Sequence, residues 1–445
     1  MTPVTPILAA APGHILAHVL LALAAVVIVG RLVGRLFEYL GQPPVIGEVV
    51  AGILLGPSFL GWISQNLFQV NATEFLLPKD VSPYLGVIAQ LGVILYMFLV
   101  GLELNAGLLR AQAKAAIGIS AAGMVAPFLL GVALAYPLRE RFAPADVPFS
   151  SFALFLGIAL AVTAFPVLAR ILTDRGIART RLGVLALSCA AVGDAAAWCL
   201  LAVIVGVVQA RIDDALVVIG LSAAFIAFML LAVRPLATRW ARRLDGRPLT
   251  PTIAAWIFAA VLLSALATEA IGIHGLFGAF LLGVVIPHDC RVARELEHRL
   301  KEVVVVLFLP AFFAYTGLRT QIGLISGWEE WLVCGVIILA ATVGKFGGTL
   351  AAARLTGFDW RMSASLGVLM NTRGLMELIV LNIGLDLGVI SPVLFTMLVL
   401  MALVTTLATA PMLKRLMPRE EVPHPSDRSR TVAAAAGGSA VRTET

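Results

Sequence analysis

The chain has 445 residues, of which 60% are hydrophobic and 13% charged, and its mean hydropathy is +0.98. A soluble domain carries about a quarter charged residues and could not hide this much apolar surface, so lipid is the expected solvent for most of the chain. The net charge of +6 does not point to nucleic acid, because the basic residues are dispersed among short loops rather than gathered into a patch.

Residues 1–14 read as a short extracytoplasmic segment, with no basic region and small-residue cleavage site of the kind a removable signal peptide shows. Thirteen spanning segments of about bilayer length are predicted at 15–37, 43–61, 84–104, 111–137, 149–173, 181–209, 214–234, 251–271, 272–288, 301–320, 329–354, 361–386 and 391–415. Residues 15–415 thus form the transmembrane domain. Residues 416–445 turn polar and then Ala-Gly-rich, and are expected to be a disordered cytoplasmic tail. Cys189, Cys199, Cys290 and Cys334 show no metal-ligand spacing and read as small core residues.

The connecting loops test this count. With the N-terminus outside and the C-terminus in the cytoplasm, inside connections hold Arg31 and Arg35, Arg110 and Lys114, and Arg170, Arg175, Arg179 and Arg181. Further along they hold Arg234 through Arg247, Arg291 through Lys301, and Arg354 with Arg361, whereas outside loops hold only Lys79, Arg139, Arg141, Arg211 and Arg319. That asymmetry is the positive-inside pattern of an integral membrane protein, here expected in a bacterial inner membrane.

An odd count also allows six helices, a linker and six more, which places two repeats in opposite orientations. The fifth segment then corresponds to the twelfth. Pro166 interrupts the fifth, in Thr163-Ala164-Phe165-Pro166, and Asn371-Thr372-Arg373-Gly374 interrupts the twelfth. Paired broken helices at equivalent positions mark a transport site, because freed backbone groups are tolerated only where they line a cavity or meet a partner.

Ionisable side chains at mid-membrane cost several kcal/mol and each calls for a reason. Asp194 lies midway along the sixth segment among Ala190, Ala191, Ala195, Ala196 and Ala197, which leave room for an ion or a water. It reads as the carboxylate that binds either a proton or a cation, against the plainer role of glue paired with a base. Lys345 lies in the middle of the eleventh segment, too far from either end to snorkel, and either pairs with a charge or hydrogen-bonds to broken-helix backbone. Arg373 and Glu377, four residues apart on one helix face, form a structural ion pair or balance the half-helix dipoles at a crossing. Glu269 and His274 straddle the eighth and ninth segments near the outer surface. Glu48, after Pro43-Pro44, lines a vestibule or caps its helix.

Several stretches are specific enough to carry a resemblance. They are Gly41 to Glu48 continuing to Gly52-Ile53-Leu54-Leu55-Gly56-Pro57, Phe98 to Glu103, Thr163 to Pro166, and Asp194 to Trp198. Gly272 to Phe280 and Met370 to Gly374 with Glu377-Leu378-Ile379-Val380 complete the set. Across residues 15–415 the chain resembles the monovalent cation:proton antiporters, in the branch containing bacterial glutathione-gated potassium efflux systems and plant cation/H⁺ exchangers. The resemblance implies an all-α fold of inverted repeats with crossing broken helices, a dimerisation and a core subdomain, and a homodimer in the lipid bilayer. It also implies ion-binding by the aspartate at Asp194, supported by Lys345 and Arg373. The family places Asn, Gln or Asp before that aspartate, where this chain has Gly193, and a single carboxylate favours electroneutral exchange. The efflux systems carry a nucleotide-binding domain after the membrane part, here replaced by a short tail, which leaves a separate regulatory subunit open.

The resulting expectation is a secondary antiporter, not an enzyme, that needs no cofactor and exchanges Na⁺ or K⁺ for H⁺ by alternating access. Asp194 is the shared site, with oxygen ligands from Thr163, Asn371 and Thr372. A cation channel would show a selectivity filter, an intramembrane protease a nucleophile or metal constellation, and a transporter-derived sensor an output domain.

Overall fold

The computed structural model describes residues 14–69, 72–76, 78, 81–103, 113–178, 180–209, 215–244, 249–287 and 290–416. The expected N-terminal segment, apart from His14, and the tail from residue 417 lie outside them. The described residues form helices and short connections, with no strand among them.

The chain starts with α1 (His14–Tyr39) and turns at Gly41, whose φ of 71° is open to glycine, before Pro43 and Pro44 launch α2 (Pro44–Leu55). Beyond Pro57 the second segment continues at a 43° bend. Then come α3 (Ser82–Glu103), α4 (Ala113–Phe142), the pair α5 (Phe149–Ala161) and α6 (Phe165–Asp174), α7 (Arg181–Gln209) and α8 (Ala215–Phe228). The chain runs on from α8 through a wide turn into Arg234–Leu244.

The second half holds α9 (Pro251–Ile271), α10 (Leu276–Val285), α11 (Arg291–Val303), α12 (Leu309–Arg319) and α13 (Trp328–Leu355). The pair α14 (Trp360–Met370) and α15 (Leu375–Asp386) precedes α16 (Pro392–Leu416). Local chemistry sets several of these ends. Asp359 caps α14 by accepting from the amides of Arg361 and Met362, and Thr250 caps α9 by accepting from Ile253.

All thirteen predicted segments fall on helices, but their lengths differ from expectation. Among the described residues nine helices are long and apolar enough to cross a bilayer, or eleven if each bent pair counts as one span. The other two expected spans are the α5/α6 pair, whose apolar half is 13 residues, and the 10-residue α10. At about 1.5 Å per residue neither α5 nor α10 reaches across the hydrocarbon core alone, whereas α5 and α6 together hold enough residues to do so.

The helices pack into two groups. In the first, α1, α2, α3, α10 and α12 lie on one another, with α9 against α10; in the second, α4 to α7 pack with α13 to α16. Few contacts cross between them, and α8 touches both through α7 and α9. Lipid supplies no hydrophobic drive between helices, so close backbone approach must do the joining. Where α2 crosses α12, a Cβ on Gly52 would stand 2.3 Å from the Phe313 carbonyl oxygen, and one on Gly317 would stand 2.1 Å from the Gly52 carbonyl carbon. Outward-facing Leu20, Ile28, Leu129, Leu231, Trp256, Leu263 and Leu339 present the apolar surface that lipid would cover. Cys199 is among the exposed residues, so it is no core residue, whereas Cys189 and Cys334 are buried as expected.

Candidate functional site: two crossed helix breaks

The two broken helices of the second group meet at their breaks. In the α5/α6 pair the chain runs extended from Val162 to Ala164, and Pro166 stands in the first turn of α6. Pro166 therefore starts the second half of the helix, where its missing N–H is no loss, rather than kinking a continuous one. The α14/α15 pair bends by 44°, through Asn371 to Gly374. The Ala164 amide donates to the Thr372 carbonyl at 3.1 Å, and the Thr163 hydroxyl donates to the Met370 carbonyl at 3.3 Å. Gly374 faces this crossing; a Cβ there would lie 2.5 Å from Val167 Cγ2.

Each break leaves carbonyls that the lost helical turn cannot satisfy. Arg373, fully buried, reaches back to the end of α5: Nη1 donates to the Ala159 carbonyl at 2.9 Å and Nη2 to Leu160 at 2.5 Å. Lys345 Nζ donates to the carbonyl of Ala161, the last residue of α5. Two cations thus sit on the negative end of one half-helix dipole. Arg373 Nη1 also donates to Glu377 Oε2 at 2.8 Å, with both side chains at 0% exposure. Of the two roles open to Lys345, the structure shows the backbone one; of those open to Arg373 and Glu377, it shows both at once.

Asp194 is different. It is 2% exposed, and neither carboxylate oxygen has a hydrogen-bond partner among the described residues. It faces the first amide of α6 at Phe165, beyond hydrogen-bonding geometry, and lies within electrostatic reach of Lys345. Thr372 Oγ1 and Asn371 Oδ1 are buried and equally unpartnered. Buried polar atoms almost always find partners, so the unpartnered oxygens mark Asp194, Asn371 and Thr372 as the candidates to hold a small cation or a proton. Thr163 donates its hydroxyl proton to Met370, which leaves the oxygen's lone pairs available.

The residue that sequence reading passed over is Thr406 on α16. Its Oγ1 accepts from the Arg373 amide at 2.8 Å and lies 2.8 Å from the Arg373 carbonyl, pinning the break from outside. The signal available was a pair of threonines, Thr405 and Thr406, in the middle of an apolar segment. Gly193, unusual for the resemblance, lies against α4, where a Cβ would meet Ser120 Oγ at 2.9 Å. Glu48 packs along α1 beside Gly34, and the N-cap of α2 is Pro43. Glu269 is exposed and accepts from the Gly275 amide at 2.7 Å, near the partly buried His274.

This arrangement has known counterparts. Residues 21–417 match the family described as sodium/hydrogen exchanger, transmembrane. The chain belongs to the sodium/hydrogen exchanger family. This exchanger is 42% identical over 405 residues to the Na(+)/H(+) antiporter NhaS4 of Synechocystis sp., covering 90% of the chain and 98% of that protein. It is 40% identical to Cation/H(+) antiporter 20 of Arabidopsis thaliana and 34% identical to K(+)/H(+) antiporter 1 of Saccharomyces cerevisiae. These matches cover 87% and 88% of the exchanger but only 47% and 46% of the plant and yeast proteins, so it spans about half their length. Its fold matches the sodium proton antiporter MjNhaP1 of Methanocaldococcus jannaschii at pH 8, with a TM-score of 0.67 and 15% identity. That match covers 90% of the exchanger and 99% of MjNhaP1.

Proposed function

We propose that the exchanger swaps Na⁺ or K⁺ for H⁺ across the membrane by alternating access, with Asp194 as the carboxylate that the two ions share. The observation that carries this reading is that Asp194 is buried yet unpartnered, while the neighbouring cations are held by backbone carbonyls and Glu377. A carboxylate left without a hydrogen bond in a low-dielectric site is costly, and a bound proton or cation removes that cost. Either load therefore stabilises the state that moves, and the two exclude each other at one group.

The formal charges argue for electroneutral exchange. Asp194 and Glu377 oppose Lys345 and Arg373, so the site carries the same net charge whether Asp194 holds a proton or a monovalent cation. Thr372 and Asn371 supply further oxygens for a hard cation. The second helix group would rock against the first in the bilayer, with the N-terminus outside and the tail in the cytoplasm of a bacterial cell. The resemblance adds a homodimer and leaves room for a regulatory subunit.

The test is a pH-dye assay in proteoliposomes with an imposed proton gradient, adding Na⁺, K⁺ or Li⁺ in turn to wild type and Asp194→Asn. Collapse of the gradient by one cation in wild type alone supports the reading and names the ion. Proton movement by Asp194→Asn equal to wild type would sink it.

A further inference from the structure

We propose that Arg319, with Asp386 and Asn382, forms a clasp that shuts the ion pathway at one end of the molecule by tying the two helix groups together. Arg319 is the last residue of α12, in the first group. It reaches α15, in the second, where Nη1 donates to Asn382 Oδ1 at 3.0 Å and Nη2 to Asp386 Oδ1 at 2.5 Å. Its guanidinium stacks over Tyr315, one turn earlier, at 5.0 Å. Asn382 returns the link by donating from Nδ2 to Thr316 Oγ1 at 2.8 Å. Beside these, the Gln321 amide donates to Thr396 Oγ1 on α16 at 3.2 Å. One end of α12 is thus bonded to two helices of the opposite group.

Local helix energetics do not explain this placement. Asp386 is the last residue of α15, where the helix dipole disfavours an anion, so its carboxylate fits there only while Arg319 faces it. An exposed ion pair within one rigid unit contributes little. This pair is instead backed by a buried amide and joins helices of the two groups. Side-chain exposures of 24% for Arg319 and 35% for Asp386 leave both groups close enough to water to be solvated if the bodies part. A latch needs this property, and a permanently buried pair would lack it.

Beneath the clasp lies a cavity of about 30 Å³ between the groups, lined by Gln90, His274, Tyr315, Ile379, Asn382 and Asp386. A cavity of this size has room for about one or two waters, and its walls are mostly apolar, with Ala89, Val93 and Phe312 among them. The lining residues Ile379, Asn382, Ile383 and Asp386 share one face of α15, the helix that begins at the crossed breaks and ends at the clasp. Elsewhere between the groups the Gln42 amide donates to the Leu407 carbonyl on α16 at 3.2 Å, one turn from the Ala410 carbonyl that accepts from Arg175 Nη2 at 3.1 Å. The charged tie on which the proposal rests is the Arg319–Asp386 pair.

The proposal goes beyond the exchange reading but shares its moving groups, so the test reads accessibility, not flux. Full-length exchanger with its four cysteines replaced by serine carries Ala89→Cys, at a fully buried residue that lines the cavity, and is exposed in membrane vesicles of each orientation to an impermeant maleimide. Asp386→Asn and Arg319→Gln are expected to raise the labelling rate from the Arg319 face about fivefold or more, the population shift expected for loss of about 1 kcal/mol of closure. The swap of Arg319→Asp with Asp386→Arg is expected to restore slow labelling. Asn382→Ala, which leaves both charges in place, is expected to give a smaller rise, and it decides the matter if the charge variants fail gel filtration. Fast labelling in the parent, unchanged rates in the folded variants, or a swap as open as the single changes would each overturn the clasp. Absence of cation-driven proton flux in wild type would overturn the exchange reading and leave these labelling rates untouched.

Discussion

The Lys345 ammonium donates to the carbonyl of Ala161, the residue at which α5 stops. Asp194, its electrostatic neighbour, has no hydrogen-bond partner meeting normal geometry among the described residues. The lysine thus serves first as the cap of a half-helix, which leaves the aspartate open to the role proposed for it.

Lys345→Met keeps the side-chain length but removes every donor, leaving the Ala161 carbonyl buried without a partner. An orphaned buried acceptor costs about 1–3 kcal/mol. Melting of the purified variant in detergent should therefore fall by several degrees, and Lys345→Arg should recover most of that loss. An unchanged melting temperature in Lys345→Met would remove the capping role.

Asp194→Asn should behave oppositely. It removes an unpaired buried charge without creating a cavity, so the variant should melt at or above wild type while exchange is lost, the usual trade between site strain and stability. A marked drop in stability would make Asp194 a structural residue, contrary to its carboxylate having no hydrogen-bond partner among the described residues.

Arg373 and Glu377 are both fully buried and bonded to each other at 2.8 Å. Removing one partner alone, as in Glu377→Gln, strands a buried charge and should cost about 3–5 kcal/mol. Arg373→Gln combined with Glu377→Gln should cost less than the two single changes added together. Additive losses in this double-mutant cycle would mean that the pair is energetically idle.

Thr406→Val replaces the hydroxyl that accepts from the Arg373 amide with a methyl of the same shape. The buried amide then lacks an acceptor, for a cost of about 1–3 kcal/mol, and Thr406→Ser should be close to neutral. Thermal melts of the two variants side by side distinguish loss of the hydrogen bond from loss of packing.

Competition for one carboxylate gives the exchanger a distinctive pH response. The apparent KM for the cation should rise as pH falls, by up to about tenfold per unit where protons dominate the site, the limit for two ligands that exclude each other. Flux measured over a cation series at several pH values checks this. A KM independent of pH would place proton and cation at separate groups.

Much of this was legible in the chain itself. Helix positions followed from the apolar segment lengths, and the break at Asn371 to Gly374 followed from polar residues inside an apolar run. Asp194, Lys345 and Arg373 stood out because a charge in lipid is expensive wherever it occurs. Other features were misread for reasons of geometry. Pro166 was visible as a helix breaker, but only the backbone shows that the break precedes it and that the proline opens α6. The short α10 resembles a full span in hydropathy, although its helix ends after ten residues.

Burial cost and segment length are properties of a residue and its chain neighbours, so composition and spacing alone settled that this is an all-helical membrane protein with a few obligatory interior charges. Partner choice is a property of distant residues brought together. Whether Lys345 meets Asp194 or the end of α5, whether Thr163 is free or bonded to Met370, and which threonine pins Arg373 depend on how α5, α13, α14 and α16 cross. A hydrogen bond forms or fails over a few tenths of an ångström, a scale set by tertiary packing and carried by no pattern in the sequence.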